Sequence, residues 1–252
     1  MSPPTLITAR TKIVVINIAN AVEPCFRLKE SARHPLVPRR FHPAHAKPHP
    51  ALNDVQEDAI LANGRQRRAG EFRVSSSHYA AWQDLQSDDA DQYVVLEVNL
   101  IVDWAFLEKL SVVSLARIGI DYLRLHYRYP TQTEVVKENF IEPERSIIAI
   151  DGTALGAQAY TITKAGARFF LDHCRIERRP IDSAMDHPWT HGQRHLSIFP
   201  FPVIERSAEQ CQGNTQLESL IIPRQFALKR AGARCLELQR CITSPIKRRC
   251  DR

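Results

Sequence analysis

Apolar positions fall into short β-branched runs and longer stretches with helical spacing, and the two kinds alternate along the chain. Residues 12–18 (KIVVINI) predict a buried strand. Residues 22–33 fit a helix, with Pro24 tolerated in its first turn. Residues 34–50 predict an irregular loop, because Pro35, Pro38, Pro43, Pro48 and Pro50 oppose both helix and central strand. Asn53 can cap a helix ending at Gly64, and a basic loop at Arg65–Arg68 follows. A helix is predicted from Gly70 to about Leu85, with Val74, Ser77 or His78, Ala81 and Leu85 on one face. After a polar turn at 86–92, residues 93–102 read as a second buried strand interrupted by Glu97 and Asn99. A helix near 104–118, strands at 121–127, 146–150 and 159–162, and a helix opening at Thr163 or Lys164 and running through Phe170 come next. Residues 196–203 read as an edge strand because of their prolines, and a final helix covers about 223–241.

Alternating strands and helices predict an α/β class with a mainly parallel central sheet flanked by helices. In such sheets ligands bind beyond the carboxyl ends of the strands. That rule directs attention to the chain after Ile18, to Glu97–Asn99 and to the turn after Ile150. No Gly-rich phosphate loop, dinucleotide fingerprint, G-x-S-x-G elbow or H-E-x-x-H helix occurs. Ser75-Ser-Ser-His78 sets hydroxyls beside an imidazole, but neighbours on a helix do not face each other, so it makes no nucleophile–base pair.

Composition narrows the picture. Apolar residues make up 44% of the 252 and charged residues 25%, which excludes wholesale disorder. No run of about 18–20 apolar residues suggests a membrane span, and Met1–Leu6 does not resemble a signal peptide, so a cytoplasmic location is expected. The six cysteines lack zinc-ribbon or redox spacing and read as free thiols. A metal role for His34, His42, His45 and His49 is disfavoured, because their proline-rich loop offers no rigid frame. Charge is uneven. Residues 224–252 hold nine basic side chains against Glu237 and Asp251, a net of +7, while the rest of the chain sums to −1. Such a tail suits an anionic membrane surface or a phosphorylated acceptor; nucleic acid is disfavoured, because aromatic interleaving is missing.

Four segments, taken in order, suggest an identity. They are Val14-Val-Ile-Asn-Ile18; Gly70-Glu-Phe-Arg-Val-Ser-Ser-Ser-His78 with Tyr79–Trp82; Tyr93-Val-Val-Leu-Glu97; and Gly156-Ala-Gln-Ala-Tyr160, continuing through Thr163–Ala167 to Pro180-Ile-Asp182 and Met185–Trp189. In this order and spacing they resemble glycosyltransferase family 25, over about residues 12–240. The resemblance implies a GT-A-like fold over 1–222 with a basic helix and tail at 223–252. It also implies a nucleotide-sugar donor of the UDP-sugar type, and Mn2+ or Mg2+ at the diphosphate. The reaction implied is transfer of a hexose, often galactose, to a lipopolysaccharide or lipooligosaccharide acceptor. Such an enzyme would sit peripherally at the inner face of the bacterial inner membrane.

Departures from the family's pattern are specific. Its Glu-Asp-Asp metal motif reads Glu97-Val98-Asn99 here, so two hard anionic ligands are lost and metal binding should be weak or absent. Glu23-Pro-Cys25 stands where the family usually has arginines, and Phe72–Ser75 replaces an apolar-Gly-Cys segment. On the matched positions, Glu97 and Asn99 are the metal candidates, and Asp182 and Asp186 the catalytic ones. Asn17, Ser77, His78, Gln158 and Tyr160 are the donor-binding candidates. A structural reading competes at each: a salt bridge for Glu97, a helix cap for Asp182, a surface carboxylate for Asp186, core packing for Gln158 and Tyr160. The alternative to an active enzyme is a degenerate relative that binds a nucleotide sugar or a protein partner.

Overall fold

The computed structural model describes residues 8–17, 39–43, 49–52, 56–63, 65, 67–175, 179–188, 192–206, 231–232, 234–236 and 239. The strands are β1 (Thr11–Asn17), β2 (Arg39–Pro43), β3 (Gln92–Glu97), β4 (Leu100–Val102), β5 (Tyr122–Arg124), β6 (Gln132–Lys137), β7 (Ser146–Asp151), β8 (Ala159–Thr163), β9 (Leu196–Phe199) and β10 (Val203–Glu205). The helices are α1 (Gln56–Asn63), α2 (Ala69–Ser87), α3 (Trp104–Ser111), α4 (Lys164–His173) and α5 (Ile181–Met185), with a 3-10 turn at Ala116–Ile118. Eight strands form one sheet in the order β2-β1-β3-β8-β5-β9-β7-β6, and β4 pairs with β10 in a separate ribbon.

The sheet is mixed. Pairings β1–β2, β1–β3 and β5–β9 are parallel, whereas β3–β8, β5–β8, β7–β9 and β6–β7 are antiparallel. Only β8 and β7 run against the other strands, so the carboxyl ends of β3 and β5 lie beside the start of β8. This α/β arrangement is compatible with a GT-A-like fold.

The central strands are buried on both faces, which is why they read as continuous apolar runs. Ile13, Val15, Val94 and Leu96 face a cluster completed by Phe106, Leu107 and Leu110 of α3. Val14, Ile16, Tyr93 and Val95 face the other side, with Trp82 and Leu85 of α2 and Phe170 of α4. The Trp82 and Phe170 rings stack at 5.0 Å, and Phe170 meets Tyr122 edge-on at 5.0 Å. Thr163 opens α4 by accepting the Gly166 N–H at 3.2 Å. A Cβ at Gly166 would lie 2.2 Å from the Asp121 carbonyl oxygen, so only glycine lets the helix dock this closely.

Several expectations need correction. Residues 39–43, expected within an irregular loop, form β2; it is the outermost strand, and Pro43 is its last residue, where a missing N–H is tolerated. The strand expected over 93–102 breaks at Val98–Asn99 into β3 and β4, and the second piece leaves the main sheet. The helix expected over 104–118 stops at Ser111, before the β-branched Val112 and Val113. Residues 196–203 are not an edge strand: β9 lies between β5 and β7, because Pro200 and Pro202 fall in the gap before β10. The six exposed residues of β6 had no apolar alternation to announce them. The helix expected at 22–33 and Trp189 lie outside the described residues. So does the basic segment beyond residue 223, apart from exposed helical residues at 231–232, 234–236 and 239.

Candidate functional site

Glu97 ends β3, and its N–H donates to the Gln158 carbonyl at 2.8 Å, docking the lead-in of β8 against the strand end. Its carboxylate is 19% exposed and stands 3.5 Å from Nε2 of His78, which α2 holds fully buried. Nδ1 of His78 lies 2.9 Å from the Tyr160 hydroxyl, and the Trp82 indole N–H donates to that same oxygen at 2.9 Å. Helical spacing explains the approach: His78 and Trp82 are one turn apart on α2, and both reach Tyr160 across the sheet.

β5 ends at Arg124, and the chain continues through bends at Leu125 and Arg128. The Leu125 N–H donates to the Ala159 carbonyl at 3.0 Å, and the Arg128 N–H to that of Ala154 at 3.1 Å. Arg124, His126 and Arg128 alternate with Leu125 and Tyr127 along this segment. Arg128 forms a two-pronged ion pair with Glu205, Nε to Oε2 at 3.1 Å and Nη2 to Oε1 at 2.9 Å. Glu205 arrives through the β4–β10 ribbon, where it faces Leu100 and the Arg206 N–H donates to the Asn99 carbonyl at 3.0 Å. The Gln158 amide donates to Glu205 at 3.2 Å, so one residue touches both carboxylate-bearing strand ends.

The charges confirm the grouping. Burial pulls the Arg128 guanidinium down, but the hydrogen bonds and charge of Glu205 outweigh it, with Glu97 and Asp182 adding, and the net shift is upward. Glu97 and Asp182, distant in sequence, therefore both act on one cation. Burial drives the His126 imidazole below its ordinary value, against the opposing charge of Glu205.

The remaining candidates occupy varied positions. Asp182 lies in the first turn of α5, half-buried; Pro180 is that helix's cap, and Asp182 accepts the Ser183 N–H at 2.8 Å. Asp186 is no surface carboxylate. It is fully buried against Arg124 at 2.5 Å and accepts the N–H groups of Ala154 (2.9 Å) and Leu155 (2.6 Å), while His195 Nε2 lies 3.2 Å away. Asn17 ends β1 at the same end of the sheet as Glu97, since Ile16 faces Glu97 in register. Ser77 and Tyr160 are buried: the Ser77 hydroxyl donates back to the Arg73 carbonyl at 2.9 Å, and Tyr160 faces the aromatic cluster. Asp103, the nearest carboxylate after Asn99, caps α3 by accepting the Phe106 N–H. Arg128, Glu205 and His126 were not among the expected site residues. The polar alternation Arg124-x-His126-x-Arg128 in an apolar strand was the available signal for two of them.

The family model for glycosyltransferase family 25 (LPS biosynthesis protein) matches residues 69–185. That segment is similar to the family 25 glycosyltransferases. A comparison with curated proteins gives no match. The family 25 segment carries α2, β3, the Gln158–Tyr160 stretch and Asp182, and so supports a glycosyltransferase role. Asn17, Asp186 and Glu205 lie outside the matched residues.

The divalent metal that the family resemblance implies can be tested against the donor set. Of Glu97-Val98-Asn99, Val98 packs into the α3-side core, and the cation near Glu97 is the Arg128 guanidinium. Among the described residues no three His, Cys, Asp or Glu side chains group closely enough to hold a metal ion. A hard-oxygen cage does not fit these residues.

Proposed function

We propose that the chain is a glycosyltransferase that moves a hexose, galactose first among the candidates, from a UDP-sugar to a lipopolysaccharide or lipooligosaccharide acceptor. The observation that carries this reading is the two-pronged pair of Arg128 with Glu205 beyond the carboxyl ends of β3 and β5, where the charges of Glu97 and Asp182 also act on the guanidinium, beside the segment similar to family 25. Breaking a sugar–phosphate bond builds negative charge on the leaving diphosphate, and a fixed cation stabilises it. Arg128 can supply that cation: its pair with Glu205 leaves the side chains 43% and 35% exposed, and a phosphate can accept the same two N–H donors. Asp182 is the half-buried carboxylate available to take the proton of an acceptor hydroxyl if the linkage inverts. Asn17, at the end of β1, is the proposed contact for the nucleotide, and Gln158 ties the Glu97 strand end to Glu205. Asp186, Ser77 and Tyr160 support these groups from inside.

Among the described residues no helix is long and apolar enough to cross a membrane. The basic segment 224–252 is the proposed contact with an anionic bilayer. The test is turnover of a panel of UDP-hexoses with truncated lipooligosaccharide, with manganese and with chelator. Asp182→Asn should reduce turnover by about 10²–10⁴-fold while leaving the melting curve unchanged. Full turnover by Asp182→Asn removes it as the base, and failure of the wild-type chain to turn over any donor favours the non-catalytic, ligand-binding relative.

A further inference from the structure

Tyr160 is sealed in the core, and its hydroxyl has one proton to give. Burial raises the phenol well above its ordinary value, so it keeps that proton at physiological pH. An indole N–H can only donate, so Trp82 occupies one lone pair of the Tyr160 oxygen. Two arrangements remain for the contact with His78 Nδ1. If Nδ1 carried the imidazole proton and donated it to Tyr160, the phenolic proton would have no acceptor. The bare Nε2 would then face the Glu97 carboxylate, acceptor against acceptor. If Tyr160 donates to a bare Nδ1 instead, the imidazole proton sits on Nε2 and points at Glu97. Nε2 is buried, and Glu97 at 3.5 Å is the polar group in front of it. A doubly protonated imidazole would again strand the phenolic proton. Only the second arrangement gives each donor an acceptor to face.

We infer that Trp82, Tyr160 and His78 form a one-way hydrogen-bond chain that fixes His78 as its Nε2–H tautomer and aims that N–H at Glu97. His78 and Tyr160 are then positioning residues for the carboxylate at the end of β3. The 3.5 Å separation is long for a formed bond, and such contacts commonly tighten when substrate arrives. This explains why an imidazole, a phenol and an indole, none able to touch a ligand, line up beneath the one acidic side chain of β3. The consequence for catalysis rests on the transferase reading above; the tautomer does not.

The experiment is a long-range proton–nitrogen NMR spectrum of the full chain labelled in its histidine rings, with the His78 signals assigned from their loss in His78→Gln. Protonated Nε2 and bare Nδ1 are expected. Trp82→Phe should keep this tautomer, because it removes only the donor to Tyr160; Tyr160→Phe should also keep it, since Nε2 still faces Glu97, but should shift the bare Nδ1 resonance by removing its hydrogen-bond donor. A wild-type Nδ1–H tautomer, or an Nδ1 resonance unmoved in folded Tyr160→Phe, overturns the chain. With an active donor pair, His78→Leu should lower kcat on the order of tenfold with little change in KM. His78→Gln, which retains a side-chain N–H, should recover most of that loss. An unaltered kcat in His78→Leu overturns the positioning role even where the tautomer is as expected. Absence of any turnover by the wild type strikes the transferase reading and leaves the spectrum to decide the chain.

Discussion

Two arginine–carboxylate pairs stem from one short segment and differ in almost everything else. Arg124 and Asp186 are fully buried, side chains 0% exposed, whereas Arg128 and Glu205 are open to solvent. Arg124 also donates to the carbonyls of Leu155 (2.8 Å) and Gly156 (2.7 Å), and Asp186 accepts the N–H groups of Ala154 and Leu155. The inner pair thereby clamps a tight loop whose Leu155 and Gly156 both have positive φ, 50° and 94°. That loop leads directly to Gln158 and Tyr160. Among the described residues, the side chains of the outer pair hydrogen-bond to each other and, through Glu205, to Gln158. The Arg124 Nε–H is the one buried donor of the inner pair that lacks an acceptor among the described residues. A buried charge pair tied to several backbone groups is scaffold; one that keeps exposure and few partners can exchange them for a ligand.

The sharpest way to break this distinction is to neutralise Asp186. Asp186→Asn leaves the Arg124 charge buried and unpaired, and should reduce unfolding free energy by about 3–5 kcal/mol, read from urea denaturation. The double variant Arg124→Met/Asp186→Leu should recover part of that loss, because no charge remains buried. Recovery should be incomplete, since the backbone groups of residues 154–156 lose their partners. If Asp186→Asn costs under about 1 kcal/mol, the inner pair is no more than a surface bridge by energy.

A smaller effect separates the pairs by pH. Burial lowers the His195 imidazole, against the opposing pull of Asp186. Burial raises the Asp186 carboxyl, but His195, Arg124 and the Leu155 N–H outweigh it and leave the carboxyl low. Both folded-state values lie below the unfolded ones, so each group's stabilisation is complete above its unfolded value and is lost as pH falls. The histidine arm comes first, beginning near its unfolded value of about 6.5. The Asp186 arm follows below the ordinary carboxylate range. Melting temperature should therefore fall from pH 7.5 to 5.5, and His195→Gln should flatten part of that slope. His126, also lowered by burial, accounts for another part. A steeper slope in His195→Gln would mean that the imidazole charges in the folded protein.

What the sequence made legible follows the same division between buried and exposed. β1, β3 and α2 were readable because both faces of the strands and one face of the helix are apolar. β6 was not, because its side chains are all exposed and carry no core pattern. Glu97 stood out as a carboxylate in an apolar run, and it does stand at a strand end beside other charges. Asp186 drew attention through its neighbours in the motif, which say nothing about Arg124. Glu205 could not be found by local pattern: its place depends on β10 pairing with β4 after the chain leaves the main sheet. Arg128 needed the segment after β5 to dock on the lead-in to β8, which is a matter of backbone pairing rather than of propensity.

The smallest stability effect belongs to the outer pair, and it sharpens the comparison most. Arg128 and Glu205 are partly exposed, so their attraction is screened by water and salt, and pairs of this kind contribute about 0–1 kcal/mol. A double-mutant cycle with Arg128→Gln and Glu205→Gln should return a coupling energy within that range, measured by urea denaturation. The same variants should differ greatly in binding. Arg128→Gln removes the two N–H donors that a phosphate would share, so affinity for UDP should fall. Glu205→Gln removes the competing carboxylate while leaving the guanidinium in place, so affinity should rise, and more so at low ionic strength. Titration calorimetry with UDP in the presence of chelator reads both. If both variants weaken UDP alike, Glu205 holds Arg128 in place and does not compete with the ligand. If neither changes UDP binding while the inner-pair variants unfold as expected, both pairs are scaffold, and the phosphate contact lies elsewhere.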